Sequence, residues 1–193
     1  GTIEGVSRYN GESFRTYGET DGLMFRAEDD SDAVVSMFQD SRGRMWFGAQ
    51  PYDWRDRSLW GITIRFDGDQ FETLESLFGN DPGPVRSLIE DRTGNLWFGT
   101  KDGAILYDGE QHTVFDRTKG LLGKNVKAIS QDRQSGIWLS IWGFGVSRYD
   151  GNTFTNLTEK DGLAYNWVYD IHQDRDGYIW FGTGKGASRY GGG

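Results

Sequence analysis

The chain contains no cysteine, which excludes disulfides, thiolate metal sites and cysteine nucleophiles. It has only 3 prolines and 2 histidines among 193 residues. No apolar run approaches the ~20 residues of a membrane span, so membrane insertion is not expected. Nor is there a basic block: 21 Lys and Arg stand against 29 Asp and Glu, a net charge of −8. That balance disfavours nucleic acid or an anionic membrane surface as partner. P-loops, nucleophile elbows and dinucleotide fingerprints are missing. What the chain does have is 29 glycines and an aromatic content of 15%. That mixture fits many short strands joined by tight turns, with rings filling the gaps between sheets.

One phrase recurs four times, as QDSRGRMWFGA (39–49), EDRTGNLWFGT (90–100), QDRQSGIWLSI (131–141) and QDRDGYIWFGT (173–183). Its tryptophans, Trp46, Trp97, Trp138 and Trp180, stand 51, 41 and 42 residues apart. A period of about 40–50 residues with many short strand patterns is the mark of β-propeller blades. Within 85–118, strand A is VRSLIED, strand B is NLWFGT, strand C is AILY and strand D is HTVF. The A–B turn is D-R-T-G, with Asp first and Gly fourth, and Asp108-Gly109 signals the C–D hairpin. Strand C recurs as GVSRYNG (5–11), ITIRFDG (62–68), GVSRYDG (145–151) and GASRYGG (186–192). The expected fold is therefore all-β, a propeller of four-stranded antiparallel blades with four repeats per chain. One such sheet gains stability only by stacking on its neighbours, and the strand-B tryptophans are the expected filler of the seams.

The repeat phases divide a single propeller domain or propeller fragment (1–193) into 1–33, 34–84, 85–125, 126–167 and 168–193. Residues 1–12 align with 182–193, so the chain opens and closes at the same phase of the repeat, with five C strands for four A–B pairs. A start at Gly1 without Met reads as a piece of a longer protein. Completing the last blade requires strand D at SFRTY (13–17) to return to it. Exchange within the chain would close a four-bladed ring; exchange between two copies would close an eight-bladed homodimer. The expected partner is thus the protein itself.

In such a meander the A–B and C–D turns share one rim, and the B–C turns and D–A crossings share the other. The first rim is a uniform set of D-x-x-G and D-G or N-G turns. The second varies, and variable loops on a rigid scaffold are where binding resides. Its longest insertion, QPYDWRDRSLWG (50–61), brings Tyr52, Trp54, Arg55, Arg57 and Trp60. The same rim receives Trp142 and Phe144 from IWGFG, and Tyr165, Asn166 and Trp167 from LAYNW. Aromatic faces beside Arg, Asp and Asn are the equipment for a sugar or a peptide. Each residue also has a plainer reading: the tryptophans fold back as loop packing, Tyr165 and Trp167 plug blade contacts, and Arg55 and Arg57 pair with Asp53 and Asp56.

Catalytic chemistry finds little support. Asp40, Asp91, Asp132 and Asp174 recur at the A–B turns, where a carboxylate accepts local backbone N–H groups. His172 lies in an A strand and is the one candidate for a propeller lyase or hydrolase; its counterparts are Phe38, Ile89 and Ser130, so no ligand ring forms. His112 falls in a D strand. No metal or cofactor is expected.

Taken together, the A–B phrase, the G-V-S-R-Y-D-G hairpin and the D-G-L of the crossings (21–23, 161–163) resemble the two-component regulator propeller repeat. The resemblance covers nearly the whole chain. It implies a bacterial propeller of the kind often found as the periplasmic sensor part of hybrid histidine kinases that detect glycan fragments, and hence a periplasmic or extracellular setting. The chain departs from those sensors in carrying four repeats and no kinase core or DNA-binding domain. The expectation is a non-catalytic binding or scaffold module for a glycan or peptide, with a purely structural self-assembling unit as the alternative.

Overall fold

A computed structural model describes residues 6–23, 32–51, 62–78 and 85–191, which fall into two compact units, Gly1–Val85 and Arg86–Gly193. The first holds a hairpin of β1 (Val6–Tyr9) and β2 (Phe14–Tyr17). A four-stranded sheet follows: β3 (Asp32–Gln39), β4 (Met45–Pro51), β5 (Ile62–Phe66) and β6 (Phe71–Thr73). After β6 comes a single helical turn, α1 (Leu74–Phe78), which the strand pattern did not anticipate. Its signal is present in the sequence: Leu74 and Phe78, four apart on one helix face, are both buried.

The second unit is built on three sheets. One is a meander of β7 (Val85–Glu90), β8 (Leu96–Thr100), β9 (Ala104–Tyr107) and β10 (His112–Phe115). The next is β11 (Val126–Gln131), β12 (Ile137–Ile141), β13 (Gly145–Tyr149) and β14 (Phe154–Leu157). The last is a three-stranded sheet of β15 (Val168–Gln173), β16 (Ile179–Thr183) and β17 (Gly186–Tyr190). These are the A, B, C and D strands read from the repeat. The protein is all-β, built of propeller blades, and no helix among the described residues is long and apolar enough to cross a membrane.

Three residues of the strand-C phrase, its serine, tyrosine and aspartate, have structural tasks. Ser147 accepts the backbone N–H of Leu122 at 3.1 Å, and Ser188 that of Ala164 at 2.7 Å, pinning each crossing to the blade it enters. Tyr149 donates to the Gly151 carbonyl at 2.7 Å and locks the C–D hairpin, as Tyr107 does at Gly109. Asp150 then accepts the N–H groups of Asn152 and Thr153, both at 2.8 Å. The A–B turns are less uniform than D-x-x-G implies. In the third copy Ser135, at φ 66°, occupies the left-handed position that Gly94 fills at φ 84° in the second.

The seams between neighbouring blades of the second unit are aromatic, as expected. Trp97 and Trp138 are each 2% exposed. Trp97 lies 5.4 Å from Phe115 of its own blade and 5.7 Å from Tyr149 of the next. Trp138 repeats the contact with Phe181 and Tyr190 of the following sheet, at 5.3 and 5.4 Å. A polar latch accompanies each ring: Gln131 accepts the Arg92 N–H at 3.0 Å, and Gln173 that of Arg133 at 2.8 Å.

Candidate functional site

The two rims of the blades are built by different chemistry. On the A–B rim the recurring aspartate closes a clasp. Asp132 accepts the N–H of Gly136 at 2.7 Å, the indole N–H of Trp138 at 2.9 Å and Nε of Arg148 at 2.7 Å. The indole bond recurs from Trp46 to Asp40 (2.9 Å), Trp97 to Asp91 (3.0 Å) and Trp180 to Asp174 (2.6 Å). At Asp40, Asp91 and Asp132 burial pulls the carboxyl upward, but the hydrogen bonds outweigh it and hold each below its ordinary value. At Asp174 the Trp180 indole is the leading cause of the same lowering. The four aspartates are thus structural, and reach further than the local N–H groups anticipated from sequence.

The opposite rim presents side chains that the repeat does not require. The β12–β13 turn is pinned from two directions: Trp142 N–H donates to the Asn125 carbonyl and Gly145 N–H to that of Asn166, both at 3.0 Å. Gly145 is obligatory there, since at φ 114° an added Cβ would lie 2.3 Å from the Leu157 carbonyl oxygen. The crossing that follows β14 opens with a capping box, Thr158 and Asp161, around one 3₁₀ turn. Asn166 and Glu159 then bond reciprocally, side chain to backbone N–H, each at 2.9 Å. These two devices aim Trp142 and Trp167 at each other, with centroids 4.7 Å apart.

Two more rings complete the cluster. Tyr169 meets Trp142 edge-on at 5.2 Å, and Tyr165 lies nearly parallel to Trp167 at 6.5 Å. Tyr169 was not anticipated as a site residue. The pairing of β15 with β16 shifts register between Val168 and Asp170, a bulge at Tyr169. The matching bulge in β11 lies at Lys127, whose Nζ is 5.7 Å from the Trp142 ring. Bulges re-aim side chains, and here two neighbouring blades direct their bulged residues at one indole. The sequence signal is weak: an aromatic residue next to the first valine of strand A, where the preceding copy has Lys127.

The exposed part of this cluster is smaller than its membership. Tyr165 packs over Gly184, whose missing Cβ leaves room for it at 3.1 Å, and carries Lys185 Nζ 4.3 Å from its centroid. Trp142 is half-buried. Trp167 and Tyr169 are 39% and 48% exposed and form the accessible surface. Of the residues singled out in the sequence, Trp142, Tyr165 and Trp167 come together, and the polar atoms of Asn166 serve the clamp. Phe144 stands apart, packed on Gly123 with the Arg117 guanidinium 5.1 Å from its ring. Tyr52, Trp54, Arg55, Arg57 and Trp60 lie outside the described residues. His172 is exposed on β15, opposite Trp180. Among the described residues no group of three or more His, Asp or Glu side chains could hold a metal.

Three segments, 29–50, 80–102 and 162–185, match the family model described as two component regulator propeller. A search of curated protein sequences gave no match. Among solved structures, the chain is similar to the extracellular domain of the putative hybrid two component system BT3049 from B. thetaiotaomicron. The TM-score is 0.74 with 22% identity, over 98% of this chain and 25% of that one. The extracellular domain of BT4673 from the same organism superposes with a TM-score of 0.67 and 17% identity over the same shares. A gluconolactonase of Xanthomonas campestris, XC5397, matches at 0.54 and 14% identity, over 97% of this chain and 65% of that one. At these identities the likeness shows the fold, and the chain spans about a quarter of the two extracellular domains. Three stretches of the chain, each spanning an A–B strand pair, thus match the two component regulator propeller model.

Proposed function

We propose that this chain is a non-catalytic binding module of a bacterial sensor, working outside the cytoplasm, and that it takes a glycan or peptide on the rim formed by Trp142, Tyr165, Trp167 and Tyr169. One observation carries the reading. The aromatic residues sit where the neighbouring copies have none: Lys101 and Gly184 match Trp142, Gly123 matches Tyr165, Asn125 matches Trp167 and Lys127 matches Tyr169. A blade therefore folds without these rings, and four of them nonetheless converge on one patch. Two faces remain accessible, Trp167 and Tyr169, with Trp142 beneath them as support and Lys127 and Lys185 at the border. Sugar C–H faces stack on such rings while flanking ammonium groups bond hydroxyl or carboxylate oxygens.

The extracellular sensor domains of similar fold support the setting, and the gluconolactonase likeness keeps one enzymatic alternative, with His172 as its named residue. A glycan array followed by titration calorimetry tests the reading. A hit whose affinity falls in Trp167→Ala and Tyr169→Ala supports it; a hit indifferent to both moves the site elsewhere. Turnover of a lactone that is lost in His172→Ala would replace it with the enzymatic alternative.

A further inference from the structure

The rim beside the aromatic cluster is basic in a chain whose net charge is −8. The crossing into β11 (116–125) carries Arg117, Lys119 and Lys124 against one acid, Asp116. The matching crossing into β15 (158–167) has Glu159 and Asp161 against Lys160. The innermost strands continue the bias. Arg86, Lys127 and Tyr169 each follow the first valine of strand A, in β7, β11 and β15. These strands are neighbours: Ile129 N–H of β11 donates to Ser87 Oγ of β7 at 3.1 Å, and Lys127 and Tyr169 converge on Trp142. Equivalent positions on three adjacent strands thus read cation, cation, aromatic ring.

The cations at the rings lack anionic partners. Among the described residues Lys124 pairs with Asp102 at 3.2 Å, but no ion pair engages Arg86, Lys127 or Lys185. Glu159 and Asp170, on the neighbouring crossing and strand, are occupied by the N–H groups of Asn166 and Ile171, each at 2.9 Å. Arg86 is half-buried, its buried Nε has no hydrogen-bond partner, and burial pulls its guanidinium below the ordinary value. A desolvated cation without a counter-charge is destabilising, and the repeat does not require one there, since the next copies have Lys127 and Tyr169.

The backbone of this rim is already engaged. Trp142, Gly145 and Gly184 donate their N–H groups to the carbonyls of Asn125, Asn166 and Trp167, each at 3.0 Å. A peptide adding as a strand needs a row of free backbone groups, whereas a sugar needs only ring faces and side-chain donors.

We propose that the ligand of the aromatic rim is an acidic glycan, whose carboxylate or sulfate group bonds Lys127 and Arg86 while an adjoining sugar face stacks on Tyr169 and Trp167. This refines the binding role proposed above and rests on it.

Calorimetry of the full chain with two matched pairs tests it: tetragalacturonate against its methyl ester, and a sulfated galactose oligosaccharide against its desulfated form. The acidic member of at least one pair should bind about tenfold tighter, as a charge-assisted hydrogen bond provides; which pair responds separates carboxylate from sulfate. High salt and Lys127→Gln should each erase that preference, and Tyr169→Ala should weaken both members of the pair. Arg86→Met should also erase it without lowering the melting temperature, because it removes a cation that has no partner. A lowered melting temperature with the preference intact would make Arg86 part of the scaffold and overturn its role. Equal binding of acidic and neutral members, with Tyr169 still required, would overturn the acidic ligand and leave the rim as the binding surface. Binding indifferent to Tyr169→Ala would remove the rim itself. No binding of either acidic probe, or equal competition by polyglutamate or a single-stranded oligonucleotide, overturns the proposal.

Discussion

The two rims of these blades are built on different rules, one repeated in every copy and one varied. On the A–B rim every copy repeats one solution, a carboxylate accepting backbone N–H groups and the strand-B indole N–H, so the turn and the following strand are tied by a single side chain. On the B–C rim the backbone is equally well pinned, but the side chains it presents differ from copy to copy. Residues shared by the repeats are occupied by the scaffold; those that differ are the ones on which the proposed binding surface draws. A consensus reading of the repeat therefore points away from the proposed site.

The first way to break this comparison is to remove the seam ring. Trp97→Ala should cost ~3–5 kcal/mol, the range for truncating a buried aromatic residue, because it empties the seam against Phe115 and Tyr149 and leaves Asp91 without its indole donor. Trp180→Ala, at a ring already 39% exposed, should cost well under half as much. Thermal unfolding of the two variants measures the difference, and equal losses would remove the packing argument.

Much of this was legible in the sequence, and the limits have physical causes. Strands A to D could be placed because tryptophan, glycine and the strand-C phrase recur in phase, and a repeated error would have been visible as a broken phase. The role of Asp40, Asp91, Asp132 and Asp174 was half legible. A turn aspartate accepts nearby N–H groups by local geometry, whereas the bond to an indole six residues on depends on the strand returning alongside. Tyr169 was missed because a β-bulge reverses the alternation by which inward and outward positions are counted. Asn166 was read as a ligand group, but its side-chain oxygen accepts the Glu159 N–H, a contact that pattern alone does not reveal.

Acid should act mainly on the first rim, where the clasp carboxyls stand; on the second, Asp116 is also held below its ordinary value by Thr118. The four clasp carboxyls are lowered in the folded state from an ordinary value of 3.8. Their stabilisation is therefore complete above that value and is lost as pH falls through the lower folded values. The melting temperature should hold steady from neutrality down to about pH 4 and then drop steeply. Asp132→Asn, which cannot titrate, should start lower and fall less. A melting temperature that declines smoothly across pH 7 to 5 would place the acid-sensitive groups elsewhere.

Strain offers a smaller contrast within the second rim itself. Gly145→Ala forces a Cβ against the Leu157 carbonyl at φ 114° and should cost about 1–3 kcal/mol. Gly186, the matching residue after β16, has φ 109° but nothing within 4 Å of an added Cβ. Gly186→Ala should be the milder of the two, retaining the dihedral penalty without the clash. Denaturant midpoints for the pair separate conformational strain from steric contact.

The smallest effect on stability should accompany the largest effect on binding. Trp167→Ala and Tyr169→Ala remove rings that are 39% and 48% exposed, so each should lower stability by no more than about 1 kcal/mol, a partial transfer term without a sealed cavity. Each ring that stacks on a ligand contributes roughly a kilocalorie or more beyond its area, so losing one should weaken affinity about tenfold. Trp142→Ala should weaken it too, by withdrawing the support beneath both rings, at a larger stability cost since that indole is half-buried. The ordering matters more than the size: binding lost in the order of exposure marks a recognition surface, whereas stability lost in that order would make the cluster one more piece of the scaffold.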